Sequence, residues 1–402
     1  MQRKKHWELV AVCTVPLIMT LGNSMFIPVL PTMSKMLHVS PFQSSLLITV
    51  YSVVAIILIP IAGYLSDRFG RKKIMIPSLI IAGAGGIVSG LAALLLGDNA
   101  YTLILAGRLL QGVGAAGAAP IVLPLVGDMY NKESDVSSAL GIVETSNTFG
   151  KVLSPIIGSL LTLLAWYAVF LAIPVFCALS VLLLAFLLKA PKQQGESGTF
   201  HEFYGSVKLI FKQKGRWLSA IFLVGAIGMF ELFGLLFYLS ETLEERYGFD
   251  GIVKGSLLAV PLSVLCLASY ITGKTIGENK RLMKWLTVIG LLLLCLALVG
   301  LAWLHVRGLW GFFIFIAAGG LGIGIALPCL DAFITEGIEK EQRGTVSSIY
   351  SSMRFVGVAA GPPLVSLALT WTAPSLFYSL AAVSLLGVLT SLFAIQPKQA
   401  SR

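Results

Sequence analysis

The stretch GYLSDRFGRKK, residues 63–73, joins two apolar runs and decides the fold class. The flanking runs, residues 43–64 and 74–96, each reach the roughly 20 apolar residues with which an α-helix crosses a bilayer. The stretch itself carries Arg68, Arg71, Lys72 and Lys73, and such basic loops favour the cytoplasmic side of a membrane. This part of the chain therefore predicts two membrane-spanning helices joined by a short basic loop.

Composition extends this interpretation to the whole chain of 402 residues. Hydrophobic residues make up 56%, charged residues only 12%, and the mean hydropathy is +0.88. A soluble protein of this size needs more charge to keep its surface hydrated. The net charge of +10 lies in short loops between apolar runs, so it indicates membrane topology and no nucleic-acid partner.

Apolar runs of spanning length recur in two sets of six. The first set lies near 9–31, 43–64, 74–96, 101–125, 137–162 and 166–188, and the second near 217–240, 252–273, 283–304, 309–333, 344–370 and 374–395. Residues 191–216 between the sets are rich in Pro, Gly, Ser and Gln and predict a cytoplasmic linker, with residues 203–211 as a short amphipathic helix on the membrane surface. We predict an all-α membrane protein of twelve transmembrane helices in two pseudo-symmetric six-helix bundles, residues 1–190 and 217–402.

Orientation follows from the distribution of the 29 Lys and Arg residues. With both termini in the cytoplasm, only Lys35, Arg246, Lys254 and Arg307 fall in outer loops. This asymmetry predicts a multi-pass protein of the cell membrane with cytoplasmic termini.

The two halves also resemble each other. A shift of 210 positions brings Gly63 onto Gly273 and Arg71 onto Arg281. Duplicated six-helix halves are typical of transporters whose substrate site lies between the halves at the midplane. We therefore expect a transporter, and the pattern fits a channel or a receptor poorly.

The loop motif carries a family resemblance. Residues 63–73 match G-x-x-x-D-R-x-G-R-[KR]-[KR] at every specified position, and the chain here resembles the major facilitator superfamily. The matching residues are Gly63, Asp67, Arg68, Gly70, Arg71, Lys72 and Lys73. The resemblance implies a conformational latch that stabilises the outward-open state, with Asp128 as the partner of Arg71. The alternative is a plain basic loop, which does not require Gly, Asp and Gly at fixed spacing.

The fourth span carries a second motif. Arg108, Gln111, Gly112 and Gly114 match the R-x-x-Q-G-x-G pattern of proton-coupled members of the same superfamily. An arginine inside a membrane is costly, so Arg108 should face the protein interior and have a partner. The resemblance implies a role in the cavity or in coupling, and the alternative is that Arg108 ties two helices together.

The fifth span resembles the antiporter motif G-x8-G-x3-G-P-x2-G-G. The matching positions are Gly141, Gly150, Ser154, Pro155 and Gly158, with Ser154 and Ser159 as small replacements for Gly. The resemblance implies an efflux antiporter, most similar to the twelve-span drug:proton antiporters. The alternative is ordinary close helix packing through small residues.

Proton coupling needs a carboxyl group that gains and loses protons, and burial makes the charged form less favourable. The acids within spans are Glu231, Asp331 and Glu144. We expect Glu231 to be the principal proton site, because no basic residue lies within two turns of it. Asp331 comes second, with an ion pair to Arg354 as its alternative. Glu144 lies on one face with Lys151, too far for an ideal contact, and is expected to meet Arg108.

The cavity is expected to combine polar and soft apolar side chains. Its candidate residues are Arg108, Gln111, Asn23, Met25, Phe26, Phe230, Tyr238 and Arg354. Three in-span acids against three in-span bases leave the cavity nearly neutral, which favours amphipathic, zwitterionic or mixed-charge substrates.

These observations predict a monomeric, proton-coupled exporter of amphipathic small molecules of the multidrug type, surrounded by the lipid bilayer. The alternatives are a lipid or glycolipid flippase, an exporter of a single metabolite such as a siderophore, and a nutrient importer. The four histidines are scattered, the five cysteines show no paired spacing, and no phosphate loop is present. We therefore expect no enzyme activity, no metal site and no cofactor.

Overall fold

The computed structural model describes residues 2–130, 133–189, 200–277, 279–304, 308–338 and 340–396, and every regular element in these ranges is helical. The longer helices of the first half are α1 Gln2–Ser24, α2 Leu30–Met36, α3 Pro41–Phe69, α4 Arg71–Leu96, α5 Tyr101–Ala116, α6 Val122–Met129, α7 Glu133–Thr162 and α8 Ala168–Leu187. Those of the second half are α9 Phe200–Glu245, α10 Gly251–Thr275, α11 Lys280–Trp303, α12 Leu309–Gly337, α13 Lys340–Ala368 and α14 Ala373–Ala394.

Two predicted spans are interrupted by proline. The first is divided into α1 and α2 by a short 3₁₀ turn that contains Pro28, and α2 itself begins with Leu30-Pro31. The fourth is divided into α5 and α6 at a turn that contains Pro120. Proline lacks the N–H that a continuous α-helix uses, so the chain changes to 3₁₀ geometry at these points. The prediction of continuous helices over 9–31 and 101–125 is therefore wrong, since α1 ends at Ser24 and α5 at Ala116.

The beginning of the second half also differs from expectation. Residues 190–199 of the predicted linker lie outside the described residues. From Phe200 the chain forms one helix of 46 residues, α9, which runs through the seventh span to Glu245. No proline interrupts this stretch, so the expected amphipathic segment at 203–211 is continuous with the span rather than a separate surface helix.

Within the described residues, nine stretches are long and apolar enough to cross a membrane. One of them, Arg71–Met129, has 59 residues and contains both the third and the fourth predicted spans. The fifth and eleventh spans form α7 and α13, of 30 and 29 residues, which are richer in polar side chains. The helices thus agree with the predicted order of spans.

The chain divides into two compact units. The first comprises Met1–Phe203 together with Ser240–Ala259, and the second comprises Tyr204–Leu239 together with Val260–Arg402. The first unit therefore includes the last turns of α9 and the first turns of α10, although both helices belong to the second half of the sequence.

The same packing pattern recurs inside each unit. In the first, α4 packs against α5 and α8, and in the second, α11 packs against α12 and α14. Facing glycines let each pair approach closely: a Cβ on Gly85 would meet the carbonyl of Gly107, and one on Gly290 would meet that of Gly322. These helices hold equivalent places in the two halves, as the internal repeat predicts.

Candidate functional site

Arg108 lies at the centre of the first unit and is completely buried. Its Nε donates to the Leu47 carbonyl at 2.8 Å, and its Nη2 donates to Asn23 Oδ1 at 3.0 Å. Its Nη1 donates to Gln111 Oε1 and to the Gly22 carbonyl at 3.4 Å. The guanidinium therefore joins α5 to α1 and α3 through neutral acceptors.

Two aromatic rings complete the surroundings of Arg108. Its Cζ lies 4.4 Å from the ring centroid of Phe26 and 4.6 Å from that of Tyr51. Such contacts stabilise a cation more strongly when water is excluded. Phe26 also packs against Phe170, with centroids 4.9 Å apart. Arg108 thus has the interior position and the partners that the cost of burial requires.

The expected contact between Glu144 and Arg108 does not occur among the residues that the structure describes. All four hydrogen-bond acceptors of Arg108 are neutral. Glu144 instead accepts from Asn147 Nδ2 at 3.2 and 3.3 Å, within α7. Asn147 Oδ1 in turn accepts from Thr20, which connects this acid to α1. Glu144 is partly buried, and Lys151, two turns further along, is buried.

Glu231 lies inside the second unit on α9. Its side chain is fully buried, and its Oε1 accepts from Ser384 Oγ of α14 at 3.2 Å. Its Oε2 has no hydrogen-bond partner in the part of the chain that the structure describes. The carboxyl group is therefore buried with a single hydroxyl donor among the described residues, and burying a charge with so few partners is unfavourable.

Asp331 has a different environment. Its Oδ1 accepts from Arg354 Nη1 at 3.1 Å, which joins α12 to α13. This is the ion pair given above as the alternative to a proton-carrying role. Both side chains keep some solvent exposure. Asp331 thus has a cationic partner within hydrogen-bonding distance, in contrast to Glu231.

The residues of the loop motif come together between α3, α4 and α6. Arg71 forms ion pairs with Asp67 and, at 3.1 Å, with Asp128. Its Nη1 also donates to Ser66 Oγ at 2.8 Å. Gly70 has φ of +104°, a conformation that L side chains rarely adopt, and it allows α4 to begin immediately after α3. The structure thus brings Arg71 and Asp128 together, and their role as a latch stays a prediction.

The other residues of this motif have peripheral positions. Arg68 is exposed and donates to Tyr64 Oη at 3.4 Å, and Gly63 lies one turn before Asp67 on α3. Lys72 donates to the carbonyls of Ala185 and Leu188 at the end of α8.

The expected cavity residues do not share one environment. Met25 and Phe26 are fully buried inside the first unit, as are the polar side chains Asn23 and Gln111. In the second unit, Phe230 and Tyr238 are half-buried. Tyr238 packs against Phe377 and Phe312, with centroids 5.1 and 6.1 Å apart.

The antiporter motif of α7 presents small residues to α1. A Cβ on Gly158 would collide with the Met25 carbonyl, and one on Gly150 would come within 3.1 Å of the Leu17 carbonyl. Ser154 Oγ donates to the Gly150 carbonyl at 2.6 Å and lies in the same contact. A Cβ on Gly141 would meet no atom within 4 Å outside its own helix turn, among the residues that the structure describes. Gly150, Ser154 and Gly158 therefore lie in the close contact of α7 with α1 and with the turn that follows α1.

This geometry predicts opposite results for two substitutions in one motif. Gly158→Ala should destabilise the protein by about 1–3 kcal/mol, because the added methyl group meets backbone that must move. Gly141→Ala should be neutral or stabilising by up to about 1 kcal/mol, because alanine favours helix and nothing obstructs it. Thermal unfolding of the two purified variants tests this, and equal midpoints would contradict the packing role.

The structure also reveals a charged cluster that sequence reasoning missed. Glu244 on α9 accepts from Lys35 on α2 and from Lys254 on α10, each at 2.6 Å, and Glu241 is buried one turn earlier. The charge distribution along the sequence predicts Lys254 in an outer loop, but it lies in the first turn of α10 and is only 2% exposed. The signal in the sequence was the density of acids in SETLEE, residues 240–245.

Among the described residues, no group of three or more His, Cys, Asp or Glu side chains is arranged to hold a metal ion. None of the five cysteines forms a disulfide within the part of the chain that the structure describes.

Comparison with known proteins gives a consistent result. The family model described as Major Facilitator Superfamily matches residues 12–362 and 279–402. The bacillibactin exporter of Bacillus subtilis (strain 168) is 53% identical over 393 residues, which cover 98% of this chain and 97% of that protein. The class C tetracycline resistance protein of Escherichia coli is 24% identical, with 90% of each chain covered. Multidrug resistance protein 2 of Bacillus subtilis (strain 168) is 27% identical, with 86% of this chain and 84% of that protein covered.

Solved structures show the same fold. The human organic anion transporter MFSD10 superposes with a TM-score of 0.75 at 19% identity, covering 96% of this chain and 99% of that one. A bacterial homologue of the human lysosomal transporter Spinster gives 0.72 at 17% identity, covering 98% and 96%. With the family model matching nearly the whole chain, this multi-pass membrane protein belongs to the Major Facilitator Superfamily.

Proposed function

We propose that this transporter exports bacillibactin, or a small molecule of closely similar chemistry, in exchange for protons. The observation that carries the proposal is the 53% identity to a bacillibactin exporter over nearly the full length of both chains. The antiporter motif of α7 supports export rather than uptake. Cytoplasmic termini, a cell-membrane location and a monomeric state remain part of the proposal.

The three acids within spans support proton coupling to different degrees. Glu231 has no cationic partner in its hydrogen bonds and only one hydroxyl donor, so gain or loss of a proton changes the net charge of its surroundings. Asp331 already binds Arg354, and a proton there would have to break an ion pair. Glu144 accepts from a neutral amide and stands third. We therefore assign the principal proton site to Glu231.

The competing interpretation of this protein differs in the molecules that are exported. Multidrug export of amphipathic molecules is favoured by two more distant relatives that are named as multidrug proteins, each 27% identical. A dedicated exporter is favoured by the relative with 53% identity. The two interpretations differ in the compounds that are not transported, because a dedicated exporter does not export most dyes.

A release assay separates these interpretations. Cells that synthesise bacillibactin but lack an exporter for it should release it into the medium when this chain is expressed. The same cells should retain a panel of cationic and neutral dyes as fully as cells with an empty vector. Extrusion of several dyes together with retention of bacillibactin would overturn the proposed cargo and establish multidrug export instead.

A further inference from the structure

The ends of three helices bring four charged side chains together within the first unit. Glu244 Oε1 accepts from Lys35 Nζ and Glu244 Oε2 accepts from Lys254 Nζ, both at 2.6 Å. Both carboxylate oxygens of Glu244 are therefore occupied by ammonium groups. Lys35 is 64% exposed, so water hydrates its remaining charge, whereas Lys254 is buried.

Glu241 lies one turn before Glu244, and its carboxyl group has a different environment. It is 3% exposed, and its Oε1 has no hydrogen-bond partner among the described residues. The charged groups that act on it are Glu244 and Glu245 of α9, Lys254 of α10 and Lys35 of α2. Both lysines donate to Glu244 rather than to Glu241. An ionised carboxylate in this position would be buried with one oxygen lacking a hydrogen-bond donor, which is unfavourable.

The surrounding contacts show what this cluster holds in place. Within the segment Ser240–Ala259, Ser240 Oγ donates to the Ile27 carbonyl at 3.0 Å. Gly255 lies directly against the carbonyl of Pro155 and the hydroxyl of Ser159, on α7. With the Lys35–Glu244 ion pair, these contacts fix the segment to α2, to the turn before it and to the antiporter motif. All of them lie within the first unit.

We propose that Glu241 is a second proton-exchanging residue, and that a proton on it permits the Ser240–Ala259 segment to pack against α2 and α7. With the proton present, Glu241 is neutral, Lys254 pairs with Glu244, and no buried charge lacks a partner. When Glu241 releases its proton to solvent, the cluster contains a second buried carboxylate. Water must then enter, or Lys254 must leave Glu244, and either change breaks the packed arrangement.

This inference rests on the proton coupling of the proposed function, and it places a proton-dependent step at the end of α9 that the charge asymmetry puts outside the cell. The packed arrangement binds one proton more than the released one. A state that binds more protons gains population as pH falls, so packing should increase at low pH and decrease at high pH.

A distance measurement tests the proposal on the full-length protein in lipid nanodiscs. Spin labels at Met36→Cys and Ile252→Cys, both exposed positions, report the distance between α2 and the segment after the five native cysteines are replaced by serine or alanine. The ratio of packed to released populations should rise as pH falls, approaching about tenfold per pH unit, the slope for one linked proton. Glu241→Gln should remove this dependence and stay packed at every pH. The matched control Glu245→Gln, an exposed acid on the next turn, should keep the slope of the unsubstituted protein.

If Glu241→Gln fails to fold, a second variant, Glu241→Met, takes its place. Its side chain is also neutral but lacks the polar amide, and we expect it to stay packed at every pH. Wild-type pH dependence in these variants, or a flat response in the protein with Glu241 intact, would overturn the inference. Transport is not part of the readout. A failure of the proposed cargo or of Glu231 as proton site therefore leaves the result interpretable.

Discussion

We expect the Glu231→Gln variant to export no cargo against a gradient, although it folds and reaches the membrane as the unsubstituted protein does. Glutamine keeps the size of the side chain and the acceptor for Ser384 Oγ, but it cannot exchange a proton. The buried carboxyl would be replaced by a permanently neutral group, which removes the coupling and leaves the packing. Release of bacillibactin from expressing cells should fall to the level of cells with an empty vector.

The matched control lies on the same helix. Glu245→Gln removes an exposed carboxyl near the end of α9, 14 residues after Glu231 and outside the second unit, and should leave export unchanged. Undiminished export by Glu231→Gln would exclude Glu231 from the mechanism. Asp331, which is held by Arg354, would then become the first candidate.

The largest effect on stability is expected from Arg108→Ala. The substitution leaves the Leu47 and Gly22 carbonyls and the Asn23 and Gln111 side chains without their buried donor. The two side-chain acceptors, Asn23 and Gln111, lose a charged donor at a cost of about 1–3 kcal/mol each, and the cavity left by the long side chain adds to this, so we expect a total loss of about 3–5 kcal/mol. Thermal unfolding of the purified protein measures this loss.

Two further variants define the cause. Arg246→Ala removes an exposed arginine and should change stability by no more than about 0.5 kcal/mol. Arg108→Lys keeps the charge but cannot supply a planar fork to four acceptors, so it should recover only part of the loss. An unchanged unfolding midpoint for Arg108→Ala would show that the buried network contributes nothing to stability.

Much of the fold could be predicted from the sequence, because membrane thickness fixes the length of an apolar helix. The order of spans and the repeated halves both agree with the helices of the structure. The loop motif also predicts a tertiary contact that the structure contains: Arg71 donates to Asp128, 57 residues later in the chain. The fixed spacing of Gly, Asp and Arg constrains that contact strongly, because Gly70 has the positive φ that lets α4 begin at Arg71 directly after α3.

The charged cluster at Glu241, Glu244 and Lys254 could not be predicted in the same way. Apolar run length does not distinguish a buried helix end from a loop. Lys254 is buried only because the chain reverses direction at Gly248 and Gly251, with φ of +68° and +48°, and returns Lys254 to Glu244. The relevant partner is set by that reversal and not by periodicity along either helix.

Arg108 shows a related limit. Its burial was predicted from the cost of a cation in the membrane, but its partners were not. The sequence offered Glu144 as an acid, whereas the structure uses two carbonyls and two amide side chains. Backbone carbonyls are present at every residue, so no sequence pattern marks the ones that will accept.

Exchange of protons for cargo is tested most directly with the purified protein in liposomes that enclose a pH-sensitive dye. When bacillibactin is added on one side, protons should move in the opposite direction to the cargo, and an imposed pH gradient should drive bacillibactin to a higher concentration on the acidic side. Movement of bacillibactin without any proton flux, or of both in the same direction, would contradict the account.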